Sequence, residues 1–155
     1  MPELNPDFVN IVSAMTNASP YFQLLSMELI EFDIGRSRIE IPVNRKHLQP
    51  FGNVHGGVFC SIIDAAAFWA CYAEVEENVG MTSVDVKLNY LAPSAGGRLI
   101  AIGRRIKLGK TLGLAEAQVV DEDGKVLAHG TSTLMVLPGL SFNQEVALPP
   151  KFMAS

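Results

Sequence analysis

This sequence predicts an α+β fold in which one long helix is buried against an antiparallel sheet, and three observations lead there. Residues 55–76 form a single run rich in alanine, free of proline and apolar nearly all around, the pattern of a helix buried on most of its faces. Four strand-like runs follow at 81–91, 97–108, 111–121 and 125–136, with only turn-forming residues between them. Links that short suit hairpins or short connections in an antiparallel arrangement. Finally, 155 residues, 48% of them apolar and 18% charged, suit one domain with one core.

Taken in order, Asn5-Pro6-Asp7 supplies an N-cap followed by a proline at the first helical position. Phe8, Ile11, Val12 and Met15 then recur at helical spacing, which predicts a short amphipathic helix over 6–18. Residues 24–34 and 36–43 read as a hairpin about Gly35. In its second arm Ile39, Ile41 and Val43 alternate with Arg38, Glu40 and Pro42. Asn53 is the candidate N-cap of the long helix. The later strands are joined by Pro93-Ser94-Ala95-Gly96-Gly97, by Gly109-Lys110 and by Asp121-Glu122-Asp123-Gly124, all turn chemistry. Residues 138–155 hold three prolines and little periodicity, so the domain is drawn as 1–137 with a tail lying over the surface or a partner chain. A helix that is apolar all round needs a sheet curled around it, or a sheet plus a second helix from another subunit.

Several function classes recede on bulk properties. The net charge of −4 argues against nucleic acid as a partner. Met1-Pro2-Glu3-Leu4 lacks the features of a signal peptide, and no apolar run approaches the roughly 18–20 residues that span a bilayer. A soluble, cytoplasmic protein without a membrane partner is the expectation. The two cysteines, Cys60 and Cys71, would lie about 16 Å apart along one helix, too far for a bond between them. They are read as reduced core residues, and no Cys/His cluster suggests a metal.

The chemistry concentrates in 49-QPFGNVHGGVFCSIIDAAAFWA-70. Asp64 stands alone in an oily helix. An unpartnered buried carboxylate costs several kcal/mol, so Asp64 either has a task or lies on a thin solvent-facing stripe or against a loop. Gly56 and Gly57 permit close approach to the backbone, and first-turn N–H groups bind anions and carbonyl oxygens; a tight turn would explain the pair equally. The Gly57 N–H, with the helix dipole behind it, suits polarisation of a carbonyl. Gly57 and Asp64 share a helix face within about 20° but lie roughly 10 Å apart along the axis. One helix is therefore ill placed to serve a single carbonyl with both groups, whereas two antiparallel copies about a two-fold axis could do so. His55 falls on the opposite side from Asp64 and is read as a residue that holds the loop 49–54. Ser83 alternates with Asp85, Lys87 and Asn89 on a polar strand face, leaving Val84, Val86, Leu88 and Tyr90 towards the core. Arg104, Arg105, Lys107 and Lys110 form a basic cluster in which Arg105 and Lys107 share a strand face; it is either a phosphate site or a solvated hairpin.

These segments resemble the hotdog-fold acyl-CoA thioesterases, in particular the phenylacetate-pathway type and the related 4-hydroxybenzoyl-CoA type. The resemblance rests on His55-Gly56-Gly57, on the acid nine residues on at Asp64, on 82-TSVDVKLNYLAP-93 and on 104-RRIKLGKT-111, and it spans about residues 20–136. It implies a long helix wrapped by an antiparallel sheet, paired into homodimers and often homotetramers. It also implies hydrolysis of a thioester to a free acid and coenzyme A, with no cofactor beyond the coenzyme A of the substrate and no metal. By similarity Asp64 is the nucleophile or the base that activates water, and the Gly57 N–H polarises the carbonyl from the other chain. Gln49 and His55 orient the carbonyl end, and Ser83 positions the water. The substrate-binding set comprises Gly56 with Arg104, Arg105, Lys107, Leu108, Gly109, Lys110 and Thr111, the basic residues holding the phosphates of coenzyme A. Phe59, Phe68, Trp69 and Tyr90 are candidates for the acyl pocket. The chain mixes two patterns: Gln49-Pro50-Phe51-Gly52 is more usual in glutamate relatives, whereas Asp64 with Ser83 matches the aspartate type. A hotdog dehydratase acting on hydroxyacyl thioesters and a non-catalytic acyl-CoA-binding module are the alternatives.

Overall fold

In the computed structural model, which describes residues 2–143 and 145–155, helix α1 (Pro6–Ala18) starts as expected. The Asn5 side chain accepts the Asp7 N–H at 3.0 Å, and Pro6 opens the helix. A second helix, α2 (Pro20–Leu25), takes in the first two residues of the arm 24–34 read from sequence as a strand. Proline suits a first helical position, and Ser26 ends the helix in the left-handed region at φ 53°. Leu24 and Leu25 therefore belong to a helix, and the hairpin shortens to β1 (Glu28–Asp33) and β2 (Arg36–Pro42). Gly35 turns it at φ +77°, a conformation side-chain-bearing residues rarely adopt.

The long helix α3 (Gly56–Tyr72) is followed by β3 (Val79–Tyr90), β4 (Arg98–Leu108), β5 (Leu112–Val120) and β6 (Val126–Pro138). The strands form one sheet in the order β1-β2-β4-β5-β6-β3, with antiparallel neighbours throughout. α3 packs against all six strands, the hotdog arrangement. Its sheet-facing stripe is Ile62, Ile63, Ala66, Ala67 and Ala70, each fully buried. Alanine on that stripe lets the sheet come close: the Ser37 hydroxyl of β2 reaches the Ala66 carbonyl at 2.6 Å.

Two local expectations for α3 are corrected. Its N-cap is His55, whose ring Nδ1 accepts the Gly57 N–H, because the glycine pair opens the helix two residues later than an Asn53 cap would require. Its regular turns stop at Tyr72 rather than 76, where the Glu74 and Val75 N–H groups tighten onto the Cys71 and Tyr72 carbonyls. The tail helps to end the helix. Lys151, 1% exposed, donates from Nζ to the Tyr72 and Val75 carbonyls, both at 2.6 Å, and lies 4.1 Å from the Tyr72 ring centre. A cation there also complements the negative end of the helix dipole. Backbone bonds from Asn5 to Lys151 and from Met153 to Glu3 tie the tail beside α1. Residues 145–155 thus lie on the chain's own surface.

Burial pushes the Lys151 amine down to about 7, from an ordinary value of 10.5. Between those values the unfolded chain holds a proton that the native chain lacks, so stability rises with pH across the window and the cost is fully present below it. We predict that unfolding free energy in urea, measured from pH 6.5 to 9.5, climbs more steeply for the native chain than for Lys151→Met. Parallel slopes would contradict this.

Two of the register shifts in the sheet bear on the predicted site residues. In β3 the pairing with β6 slips between Ser83 and Asp85. Ser83 then points inward with Met81, Val84 becomes the extra residue at 55% exposure, and the inward set resumes at Val86 and Leu88. In β4 the pairing with β5 slips between Arg105 and Lys107. Arg105 lies opposite buried Ala115, whereas Lys107 lies opposite exposed Leu114, so the two do not share a face. A bulge adds one residue to one strand and reverses its parity.

Candidate active site

The face of α3 turned away from the sheet carries Gly57, Cys60, Ser61, Asp64, Ala65, Phe68 and Trp69, spaced three and four apart. That stripe forms the floor of a cavity of about 660 Å³. Its roof comes from segments the sequence did not connect with the site: Met15, Thr16 and Ser19 around α1, Tyr21 and Phe22 of α2, Met27, and Phe142 with Asn143 of the tail. Asp64 is thus half-buried in a mainly apolar cavity, neither on an open stripe nor in the core.

The bulge in β3 brings Ser83 to this carboxylate. Its hydroxyl donates to Asp64 Oδ1 at 2.6 Å, the short, charge-assisted kind of bond that orients as well as stabilises. One carboxylate oxygen is held, and no hydrogen bond among the described residues engages the other. Cys60, one turn before Asp64, lines the same wall. Burial, and secondarily the charge of Asp64, push its thiol up, so it stays a neutral thiol and makes a poor nucleophile. It is a half-buried wall residue rather than core, and both cysteines are free.

At the helix start the Gly57 N–H donates to His55 Nδ1 at 2.8 Å. The His55 proton accordingly resides on Nε2. The Gly56 N–H has no acceptor among the described residues. The Tyr90 hydroxyl donates to the Gly56 carbonyl at 3.0 Å, and a Cβ on Gly56 would sit 2.6 Å from that oxygen. A side chain at 56 would displace the exposed Tyr90 hydroxyl and break this bond. Of the candidate pocket aromatics, Phe68 and Trp69 line the cavity, whereas buried Phe59 and exposed Tyr90, which meet edge-on, are not part of its lining.

Gln49 is not brought to the cavity. Its side-chain oxygen accepts the Phe51 N–H within its own turn, and its backbone closes the loop against Asn53 and Gly52. Buried His47 anchors that loop, taking the Asn44 N–H at Nδ1 and donating from Nε2 to the Leu25 carbonyl. Residues 104–111 also lie outside the cavity lining. Arg104 pairs with Glu116, which also meets His129, and Arg105 pairs with Glu74 at 2.5 Å. Hydrogen bonds from His129 and then Arg104 hold the Glu116 carboxyl below its usual value. Lys107 and Lys110 are exposed, and no ion pair among the described residues engages them. The Gly109 N–H closes the hairpin onto Leu112.

A family model described as the thioesterase superfamily matches residues 51–128, half of the chain, and takes in His55, both glycines, Asp64, Ser83 and the basic hairpin. The chain belongs to the thioesterase superfamily. It is accordingly a thioester hydrolase. It is 26% identical over 114 residues to a 1,4-dihydroxy-2-naphthoyl-CoA hydrolase of Listeria monocytogenes, covering 74% of this chain and 93% of that protein. It is also 26% identical over 136 residues to acyl-coenzyme A thioesterase 13 of Homo sapiens, covering 86% and 96%. A thioesterase crystal structure from Haemophilus influenzae superposes with a TM-score of 0.81 at 22% identity, over 93% of this chain and all of that one, which speaks for the shared thioesterase fold. Among the described residues no helix is long and apolar enough to cross a membrane.

Proposed function

We propose that this thioesterase hydrolyses acyl-CoA esters to a free carboxylic acid and coenzyme A, with Asp64 as the reacting carboxylate. The observation that carries the reading is Asp64 held by the Ser83 hydroxyl at 2.6 Å on the floor of a large apolar cavity. In the base form of the reaction the free Asp64 oxygen takes a proton from water, whose oxygen bonds to the carbonyl carbon. The C–S bond then breaks and the sulfur leaves with a proton as the thiol. In the nucleophilic form Asp64 itself bonds to the carbon, the C–S bond breaks and coenzyme A leaves as the thiol after taking a proton from solvent. Water then cleaves the anhydride to the free acid and the Asp64 carboxylate. Ser83 orients the carboxylate in either form.

The carbonyl oxygen would be met by the α3 N-terminus of a second copy, since donors and carboxylate on one helix lie too far apart to share a carbonyl. The open Gly56 N–H is available there, and the Gly57 N–H joins it by sharing its bond to the His55 ring. His55 thereby positions the glycine turn. Lys107 and Lys110, exposed and unpaired, are the cations suited to the phosphates of coenzyme A, with Arg104 and Arg105 already committed to carboxylates. The reading requires a homodimer, which sedimentation equilibrium measures directly.

The deciding experiment is release of free thiol from a panel of aryl- and alkyl-CoA esters. Turnover of at least one ester well above the spontaneous rate is expected. Background rates throughout the panel would overturn the reading.

A further inference from the structure

We propose that Phe142, delivered by the C-terminal tail, is the partition that limits the length of the acyl group; this rests on the acyl-thioester reading above. The cavity over Asp64 does not end at an element of the fold. Beyond it lies a second cavity of about 550 Å³, and the two share Phe68, Phe142 and Asn143 as lining residues. A ring in that shared wall separates two spaces which would otherwise run together along α3.

The direction of travel is set by the helix. Asp64, Phe68 and Tyr72 follow one another at intervals of four residues, about 6 Å each along the axis. An acyl chain anchored with its carbonyl at Asp64 and directed towards the C-terminal end of α3 therefore passes Phe68 and meets the barrier. Phe68 is locked there: its ring stacks on Tyr72 at 5.7 Å and 9° and meets Trp69 edge-on at 5.2 Å. Phe142 closes the other side, edge-on to Tyr72 at 5.7 Å.

An apolar part of the wall beyond, made by Phe8, Val79, Met81, Leu140, Val146 and Leu148, can take hydrocarbon; Glu77, Asn78 and Ser141 line the remainder, and the Lys151 amine donates to two carbonyls at its edge. The two parts of the barrier also differ in what holds them. Phe68 belongs to a helix, whereas Phe142 sits on a segment with no regular structure. That segment leaves β6 through Gly139 at φ +82° and rests Leu140 on Gly80, where even a Cβ would come within 2.8 Å of Leu140. It is held again at Lys151. Between those two anchors the Phe142 ring can be removed without breaking a helix or a strand.

The test compares the native chain with Phe142→Ala across saturated acyl-CoA esters from hexanoyl to palmitoyl, reading kcat/KM. Thermal melts establish that both proteins are folded. Because each methylene in an apolar pocket discriminates by roughly ten-fold or more, the native profile should fall off with length. The ratio of kcat/KM on the longest ester to that on the shortest should rise at least about ten-fold in the variant relative to the native chain. Superimposable profiles, or a native enzyme indifferent to length, would overturn the assignment. A second arm uses non-hydrolysable thioether analogues of the same lengths and reads affinity by calorimetry. Long analogues should gain affinity in Phe142→Ala and short ones should not; equal affinities in both proteins would refute the partition. If neither these esters nor the aryl-CoA esters are hydrolysed, the acyl-CoA hydrolase reading fails while this arm still decides the role of Phe142.

Discussion

Asp64→Asn is expected to lower kcat/KM for thioester hydrolysis by about 10²–10⁴-fold, the range associated with removing a positioned acid or base, while the fold survives. Asparagine keeps an oxygen where Ser83 donates, so the 2.6 Å bond has an acceptor in the variant. What is lost is the negative charge and the free, basic oxygen. Cys60 supplies an independent readout. The Asp64 charge helps to hold that thiol up, so the variant should alkylate faster at Cys60 at fixed mildly alkaline pH. Melting and alkylation together separate a chemical loss from a structural one. Native-like turnover in a folded Asp64→Asn would remove Asp64 from its role. Ser83→Ala leaves the carboxylate in place but unoriented, and a smaller loss is expected in the same assay.

How far the sequence speaks depends on whether the signal is local. The long helix was legible because residues 55–76 are rich in alanine, free of proline and apolar nearly all around, and the later strands because their turns carry glycine and proline. The site was legible in part for the same reason: Gly57 and Asp64 seven residues apart do line one cavity. The bulges were not legible. Alternation through 83–90 looks regular, and only the pairing of β3 with β6 reveals that Val84 is the extra residue. Ser83 therefore read as a solvent-side serine, and only the family resemblance marked it. Nothing local to residues 138–155 shows that Lys151 ends α3, a contact 79 residues away in the chain, or that Phe142 roofs the cavity. The capping misassignment has a different cause. Asn53 is the better cap by propensity, but a glycine pair can begin a helix directly, and the imidazole in front of it accepts the same N–H.

Gly103→Ala is expected to be among the most destabilising single-methyl additions in the chain. Gly103 lies in the middle of β4, paired with Ser37 of β2 and Ala117 of β5, where the strand passes directly against Ala66 of α3. A Cβ at this position would fall 2.2 Å from the Ala66 carbonyl oxygen and 2.4 Å from the Ser37 hydroxyl. The first of these atoms is backbone in the middle of a buried helix and has no side-chain rotation with which to yield. Relief requires α3 and the sheet to separate, which strains the packing of Ile62, Ile63 and Ala67 as well. Overpacking costs about 1–3 kcal/mol and sometimes more. Breaking the buried Ser37–Ala66 hydrogen bond adds about 1 kcal/mol. A total near 3 kcal/mol corresponds to a fall in Tm of about 6–12 °C for a chain of this size. Gly96→Ala provides the matched control, since nothing lies within 4 Å of its Cβ position and its φ lies outside the left-handed region. The same chemical change there should leave Tm within a degree or two, or raise it slightly by restricting the unfolded chain. Urea unfolding of the two variants beside the native chain measures both effects. Equal stabilities for Gly103→Ala and Gly96→Ala would mean that the contact between β4 and α3 does not hold the helix, and with it Asp64, in place.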